Sequence, residues 1–322
     1  MHRRSFLQLS LQLSAVAAMT GSLVGCARPS PLITGVHPWI GYETLYLAEE
    51  FDWLPATVQL TKGRAARDSI DGMLSGELDA AALTLDEALR VSAEGVPVRV
   101  VAVTNVSVGS DMVLARPEIT ELSDLVGRSV GVELNGVSGV VLLAMLERAG
   151  LSTEQISIVD MPVSEHLEAW HQGVIDVSVG YKPVASRLEE AGAIRLFDSS
   201  EIPDTISDLL VVRREAERKK PDAIADLVRG HFRGLQHLVR NRHDAVYRIA
   251  TRQGVSPEAV REAMASVMLP QLPANRSYLA AGGRVEEVAG RLANMLAQEG
   301  LIDTVPDLDN LCTRDYLPGS LA

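Results

Sequence analysis

The stretch DAAALTLDEALRVSAEGVPVRVVAV, residues 79–103, contains a complete strand–helix–strand unit. Residues 79–83 are short and apolar, the mark of a buried strand. Thr84 stands three residues before Glu87, the spacing of a capping box, and predicts a helix over 84–95. The apolar run 97–103 is the next strand. Upstream the same alternation holds, with strands at 31–36 and 56–60 and helices at 41–51 and 64–78. This order predicts an α/β fold in which helices cover both faces of a parallel sheet.

Downstream, 104–111 reads as a loop, and the pattern then restarts. Strands are expected near 112–117, 128–134, 156–161, 174–180, 194–198 and 208–214. Helices are expected at 138–150, 164–171 and 183–191, the first strongly apolar and closed by Gly150. From 220 onward the chain reads as helical (221–241, 243–253, 256–267, 285–299) with a loop-like tail. Two crossings, near 112–117 and 204–213, would carry the chain between two lobes. Lobe one is expected at 31–115 and 210–322, with the C-terminal helices packed on it, and lobe two at 116–209.

The totals narrow the function. The 322 residues carry 42 acids and 30 bases, a net charge of −12, which argues against a nucleic-acid partner. The two cysteines, Cys26 and Cys312, and seven histidines show no metal-ligand spacing, so no metal and no cofactor are expected. There is no G-x-S-x-G elbow, no phosphate-binding G-x-x-x-x-G-K and no G-x-G-x-x-G. Catalysis is therefore not expected.

The N-terminus has a positive start, a moderately apolar middle and a small-residue end, the layout of a secretory signal over 1–25. A buried helix is the other reading. Arg3-Arg4-Ser5-Phe6-Leu7 resembles a twin-arginine leader, and Leu23-Val24-Gly25-Cys26 resembles a lipobox. Cleavage there would lipidate Cys26, leave 26–30 as a tether, and place the protein in the periplasm or on the cell surface.

Open α/β sheets bind ligands beyond the carboxyl ends of their strands. The loops at such ends carry Trp39, Gly41 and Tyr42, then Thr84 and Asp86, Ser107, Gly136 and Ser138, and Tyr181 with Lys182. Trp39 and Tyr42 either stack on a ligand or cover the sheet edge. Thr84 and Ser138 serve as caps or contacts, Asp86 as a contact or a charge favouring the helix N-terminus, and Gly136 as a turn residue.

The segments GYETLYLAEEFDWL (41–54), LSGELDAAALTLDEAL (74–89), ITELSDLVGRSVGVEL (119–134) and GVIDVSVGYKPVASRLEEAG (173–192) follow one another in a familiar order. Over about 33–215 the chain resembles the substrate-binding proteins of bacterial ABC importers in the nitrate, sulfonate and taurine group, which includes thiamine-pyrimidine binders. The resemblance implies a two-lobe, type II periplasmic-binding-protein fold. It implies a monomer that captures a small solute and delivers it to a permease and ATPase complex. It points to Trp39, Gly41, Tyr42, Thr84, Asp86, Ser107, Ser138, Asp176 and Tyr181 as pocket positions. Lys182 stands where the family usually has an acid. A sulfonate or nitrate site would use helix N-termini and hydroxyls. Glu43, Asp86, Asp111 and Glu133 fall near the mouth, and inward-facing acids would instead suit a neutral or cationic heterocycle. Two further readings are a ligand sensor and an enzyme. A fungal relative of this fold is an enzyme with a cysteine-rich iron segment, and this chain has only Cys312 beyond the leader.

Replacing Cys26 with Ser is expected to move the protein from the membrane fraction to the soluble fraction without lowering its melting temperature, as read by cell fractionation and thermal denaturation.

Overall fold

A computed structural model describes residues 30–182 and 184–320. The expected leader, with Cys26, lies outside the described residues. In chain order the strands are β1 Leu32–Val36, β2 Val58–Lys62, β3 Ala80–Thr84, β4 Val98–Ser107, β5 Asp111–Ala115, β6 Ser129–Val132, β7 Ser157–Asp160, β8 Val177–Tyr181, β9 Ile194–Asp198, β10 Ser207–Arg213 and β11 Val267–Met268. The helices are α1 Glu43–Glu50, α2 Ala66–Ser75, α3 Leu85–Ala93, α4 Val137–Ala149, α5 His166–His171, α6 Val184–Glu190, α7 Arg214–Lys219, α8 Pro221–Arg240, α9 Arg242–Gln253, α10 Pro257–Ala265, α11 Leu272–Tyr278 and α12 Arg284–Gln298.

Two sheets form among these residues. The first has the order β11-β4-β10-β3-β1-β2, the second β7-β6-β8-β5-β9. β3 shows why the first sheet sits in the middle of a lobe. All five of its residues are buried. Ala81 and Leu83 face a core built with α3 and α12, while Ala80 and Ala82 face one built with α1 and α8. A strand apolar on both faces needs helices on both sides. α8 supplies one cover because Ile224, Leu227, Val228, Phe232, Leu235 and Leu238 recur every three or four residues. Pro221 opens it at a position that needs no amide donor. In the second lobe, α4 packs one face with Val141, Leu142, Met145 and Leu146, while α5 and α6 cover the other.

Five points depart from expectation. The sheets are mixed rather than parallel, because β10 lies antiparallel between β3 and β4, and β5 lies antiparallel between β8 and β9. The 104–111 segment is not a loop throughout. Strand β4 continues to Ser107 because β10 and β11 pair with its polar end. β5 belongs to the second sheet, so the first crossing shortens to Val108–Ser110 and the boundary at 115 falls inside lobe two. Helices α7 and α11 were not anticipated. The tail is partly ordered as strand: Cys312 bridges Val100, with Val100 N–H donating to Leu311 O and Thr313 N–H to Val100 O.

α1 and α8 approach so closely that an added Cβ at Gly234 would lie 1.9 Å from the carbonyl oxygen of Thr44. Backbone cannot yield as a side chain can. Gly234→Ala is expected to destabilise the protein by roughly 2–3 kcal/mol, whereas Gly290→Ala, with nothing near its added Cβ inside α12, is expected to stabilise it by about 0.5–1 kcal/mol; chemical denaturation of the pair checks both signs.

Candidate functional site

The antiparallel return of β10 brings its amino end to the same rim as the carboxyl ends of β3 and β4. Asp208 is paired with Thr84 on one side and Asn105 on the other. Directly opposed residues share a face of the sheet, so their side chains form a row. A 3-10 turn, Ile40–Tyr42, lies against it. The Tyr42 hydroxyl donates to Asp208 Oδ1 at 2.5 Å and the Trp39 indole N–H to Oδ2 at 3.2 Å. Gly41 is required here, since a Cβ would lie 1.7 Å from Asn105 Nδ2.

α3 begins directly after β3 and adds two more acids. Glu87 accepts from the Thr84 backbone N–H at 2.8 Å, as the capping-box spacing anticipates. The Thr84 hydroxyl turns to Asp86 Oδ1, at 2.7 Å. Arg90, one turn on, lies 3.6 Å from Asp86. It also donates to the carbonyls of Leu301 at 3.1 Å and Leu134 at 3.4 Å. Leu134 belongs to the second lobe, so Arg90 bridges the lobes.

This floor titrates abnormally because it is dry and crowded with like charge. Burial pushes Asp208 up to about 7, against the Tyr42 and Trp39 hydrogen bonds and with the help of Asp111 and Asp86. Burial, then Asp86, raises Glu87 to about 8. Burial lifts Asp111 to about 6, opposed by the Ser107 hydroxyl. Burial holds His37, which meets Tyr42 edge to face at 5.1 Å, down to about 4.

The second lobe supplies the facing wall. The ring of Tyr181 meets Trp39 edge-on at 6.1 Å across the gap. Burial, followed by the charge of Glu133, Glu87 and Asp111, raises its hydroxyl well above the usual tyrosine range. Between the lobes is a cavity of about 380 Å³. Its walls are the start of α2 (Ala65, Ala66, Arg67), Glu87 and Arg90 of α3, the β6–α4 loop with Glu133 and Asn135–Ser138, and Tyr181.

Of the positions expected from sequence, Ser138 and Tyr181 line the cavity. Trp39, Gly41, Tyr42, Thr84 and Asp86 form the adjoining floor. Ser107 is drawn into the crossover, bonded to Asp111 at 2.6 Å and Ser199 at 2.7 Å. Asp176 is not brought to the group. It lies just before β8, at the opposite end from Tyr181. There it accepts from Ser129 N–H and Oγ at 3.1 and 2.9 Å and pairs with Arg116 at 3.6 Å. Glu43 also points elsewhere, to Arg252 and Gln253 of α9. Lys182 reaches Glu262 of α10 at 3.9 Å, a second link between lobes.

Asp208, Glu87 and Arg90 were missed as site residues. Asp208 opens a strand, and a parallel reading of that strand puts its first residue at the wrong end. A lone acid heading the apolar run DLLVV was the available signal.

A model of the NMT1/THI5-like family matches residues 44–245. The chain belongs to that family. The taurine-binding periplasmic protein of Escherichia coli K12 is 23% identical over 189 residues, covering 58% of this chain and 59% of that protein. The chain thus matches about three fifths of that relative's length. The alkanesulfonate-binding protein SsuA of Xanthomonas axonopodis pv. citri, bound to MOPS, superposes at a TM-score of 0.74 with 17% identity, covering 89% of this chain and 99% of that one. The desulfurization enzyme DSZB superposes at 0.66 with 16% identity, covering 89% and 97%. The fold of this NMT1/THI5-like chain is the two-lobe one of type II periplasmic binding proteins. That scaffold carries binding proteins and also an enzyme. No helix among the described residues is long and apolar enough to cross a membrane.

The raised carboxyls set the sign of a pH effect. An unfolded Asp or Glu loses its proton near pH 4, while folded Asp208 and Glu87 keep theirs to about 7 and 8. Raising pH through that interval therefore favours unfolding. His37 and His231, held neutral by burial, shift stability only below about pH 6.5. The melting temperature of the ligand-free protein is expected to fall between about pH 6.5 and 8, and Asp208→Asn to flatten that slope, as measured by calorimetry.

Proposed function

We propose that this chain is the extracytoplasmic receptor of an ABC importer, tethered by lipid at Cys26 and working as a monomer. It captures a small solute between its lobes and delivers it to the permease and ATPase. The observation that carries this reading is the interlobe cavity, walled by both lobes and lined on the second by Tyr181, whose ring meets Trp39 of the first. Its volume suits a solute of a few to a dozen heavy atoms. Links such as Arg90 to Leu134 O and Lys182 to Glu262 are contacts that hinge closure would make and opening would break.

The relatives' names suggest a sulfonate or taurine. The first turns of α2 and α4 border the cavity at Ala66, Val137 and Ser138, and backbone N–H groups at helix starts suit such an acid group. Neither histidine nor cysteine lines the cavity among the described residues, and Cys312 is buried in the core of lobe one. That supports binding over turnover.

Deleting the gene is expected to abolish high-affinity uptake of one small solute while growth on other sources is kept. Tyr181→Ala in the purified protein is expected to weaken binding of that solute at least about tenfold, because one ring of the closing pair is lost, with an unchanged fold by circular dichroism. Normal uptake of every tested solute in the deletion strain would sink the receptor reading.

A further inference from the structure

The elbow between α8 and α9 stands apart in an acidic chain. Residues 227–255 hold six arginines and one acid, Asp244, in a protein of net charge −12. Arg229, Arg233 and Arg240 recur at helical spacing and are all exposed, so they form one stripe along the outer side of α8. Arg242 and His243, also exposed, continue the stripe into the first turn of α9.

Part of this charge is compensated within the protein. Arg229 pairs with Asp226 at 2.7 Å, Arg248 with Asp244 at 2.8 Å and with Glu50, and Arg252 with Glu50 at 2.8 Å and with Glu43. Arg233, Arg240 and Arg242 have no carboxylate partner among the described residues. Arg233 lays its guanidinium over the Trp53 ring, 4.9 Å from the centre, a contact that leaves its charge in place. Of the neighbouring acids, Asp52 stands beside Trp53 and Asp222 in the first turn of α8, so the uncompensated charge lies toward the elbow. Two apolar side chains are exposed there, Val239 at 50% and Tyr247 at 48%. Arg240, Arg242, His243 and Tyr247 border an open hollow of about 540 Å³. Unpaired arginines interleaved with exposed apolar side chains suit a surface that is anionic and partly apolar.

An independent observation concerns the end of the chain. Leu32 N–H donates to Thr57 O at 2.8 Å, and Thr57 Oγ1 donates to Asp226 Oδ2 of α8 at 3.0 Å. Because Trp53 lies under Arg233, the segment from Trp53 to Thr57 follows α8 from Arg233 back to Asp226. The chain that leads back to Cys26 therefore leaves lobe one beside the stripe. Cys26 stands six residues before Leu32, a span of at most about 21 Å. Asp226 to Arg240 is also about 21 Å along the helix.

We propose that the α8–α9 elbow is a docking surface for anionic phospholipid headgroups, which sets how lobe one lies on the bilayer that holds its tether. The orientation rests on the lipid-tether reading above; the surface itself does not. Each unpaired arginine near an anionic bilayer multiplies binding about fivefold. At about 0.1 M salt the screening length is about 10 Å, so the elbow acts locally although the whole protein is acidic. Three arginines hold weakly without a tether, so a protein lacking lipid still leaves the membrane fraction, whereas a tethered one is kept on this face.

Co-sedimentation of the purified Cys26→Ser protein with vesicles tests the surface without the lipid. Binding is expected to vesicles of equal phosphatidylcholine and phosphatidylglycerol, not to phosphatidylcholine alone, and is expected to be lost at about 1 M salt, where the screening length is about 3 Å. Arg240→Ala with Arg242→Ala is expected to weaken that binding at least about tenfold at an unchanged melting temperature. Arg187→Ala with Arg314→Ala removes the same charge from exposed positions elsewhere and is expected to leave binding within about twofold. Equal binding to both kinds of vesicle, none to either, or an equal loss in the two double variants overturns the proposal. So does an elbow variant that abolishes solute uptake while its vesicle binding is unchanged, since the elbow then meets the permease. Uptake that persists without any vesicle binding removes the lipid surface and leaves the receptor reading standing; vesicle binding beside an unaffected deletion strain does the reverse.

Discussion

A carboxylate taken out of water must find donors or hold its proton, and this constraint shapes the rim of the first lobe. Asp208 satisfies it through Tyr42 and Trp39, and those two bonds fix the 3-10 turn against the sheet. Fixing the turn forces Gly41 beneath it, where only a residue without a Cβ leaves room for Asn105. It also places the Trp39 ring at the gap, where it meets Tyr181. One buried acid thus aligns the turn, the neighbouring strand and the first contact between the lobes.

The lobes are joined by more than their two crossings. Val140 of α4 is packed in the core of lobe one with Leu85 and Leu89, so apolar surface is shared at the seam. Arg90 adds a buried polar link to Leu134 O, and Lys182 an ion pair at the rim with Glu262, which is largely exposed. Exposed pairs of this kind contribute under about 1 kcal/mol, so the seam and the Arg90 bridge govern how tightly the lobes approach. The second crossing is braced separately, where Ser199 holds both Ser107 Oγ and the Gly109 N–H.

Much of this was legible in the sequence. Period-2 and continuous apolar runs located the strands up to β9 within a few residues, because burial on both faces leaves an unmistakable pattern at β3 and β4. The Thr84–Glu87 spacing located the start of α3. Strand direction was not legible. Nothing in SDLLVVR distinguishes a parallel from an antiparallel strand, since both are buried on two faces, and the position of Asp208 depends on that choice alone. The polar end of β4 was read as loop because Thr104, Asn105 and Ser107 look like turn residues; cross-strand pairing with β10 and β11 overrides that local preference. Asp176 shows the converse. Its family position suggested a ligand contact, but a residue that precedes a parallel strand lies at the far end from the cleft, and there it closes a local network with Ser129 and Arg116.

The central place of β10 has a kinetic consequence. The chain makes β1 to β4, then the whole second lobe, and only then the strand that fills the gap between β3 and β4. Until residue 213 has emerged, two apolar strand edges in the first lobe stand open. Contacts between residues more than a hundred positions apart must close them, and pairings so distant along the chain slow folding. The second lobe, made of one continuous segment from β5 to β9, has no such delay. It can therefore be finished while the first is still waiting, and the order of assembly runs opposite to the order of the first strands along the chain.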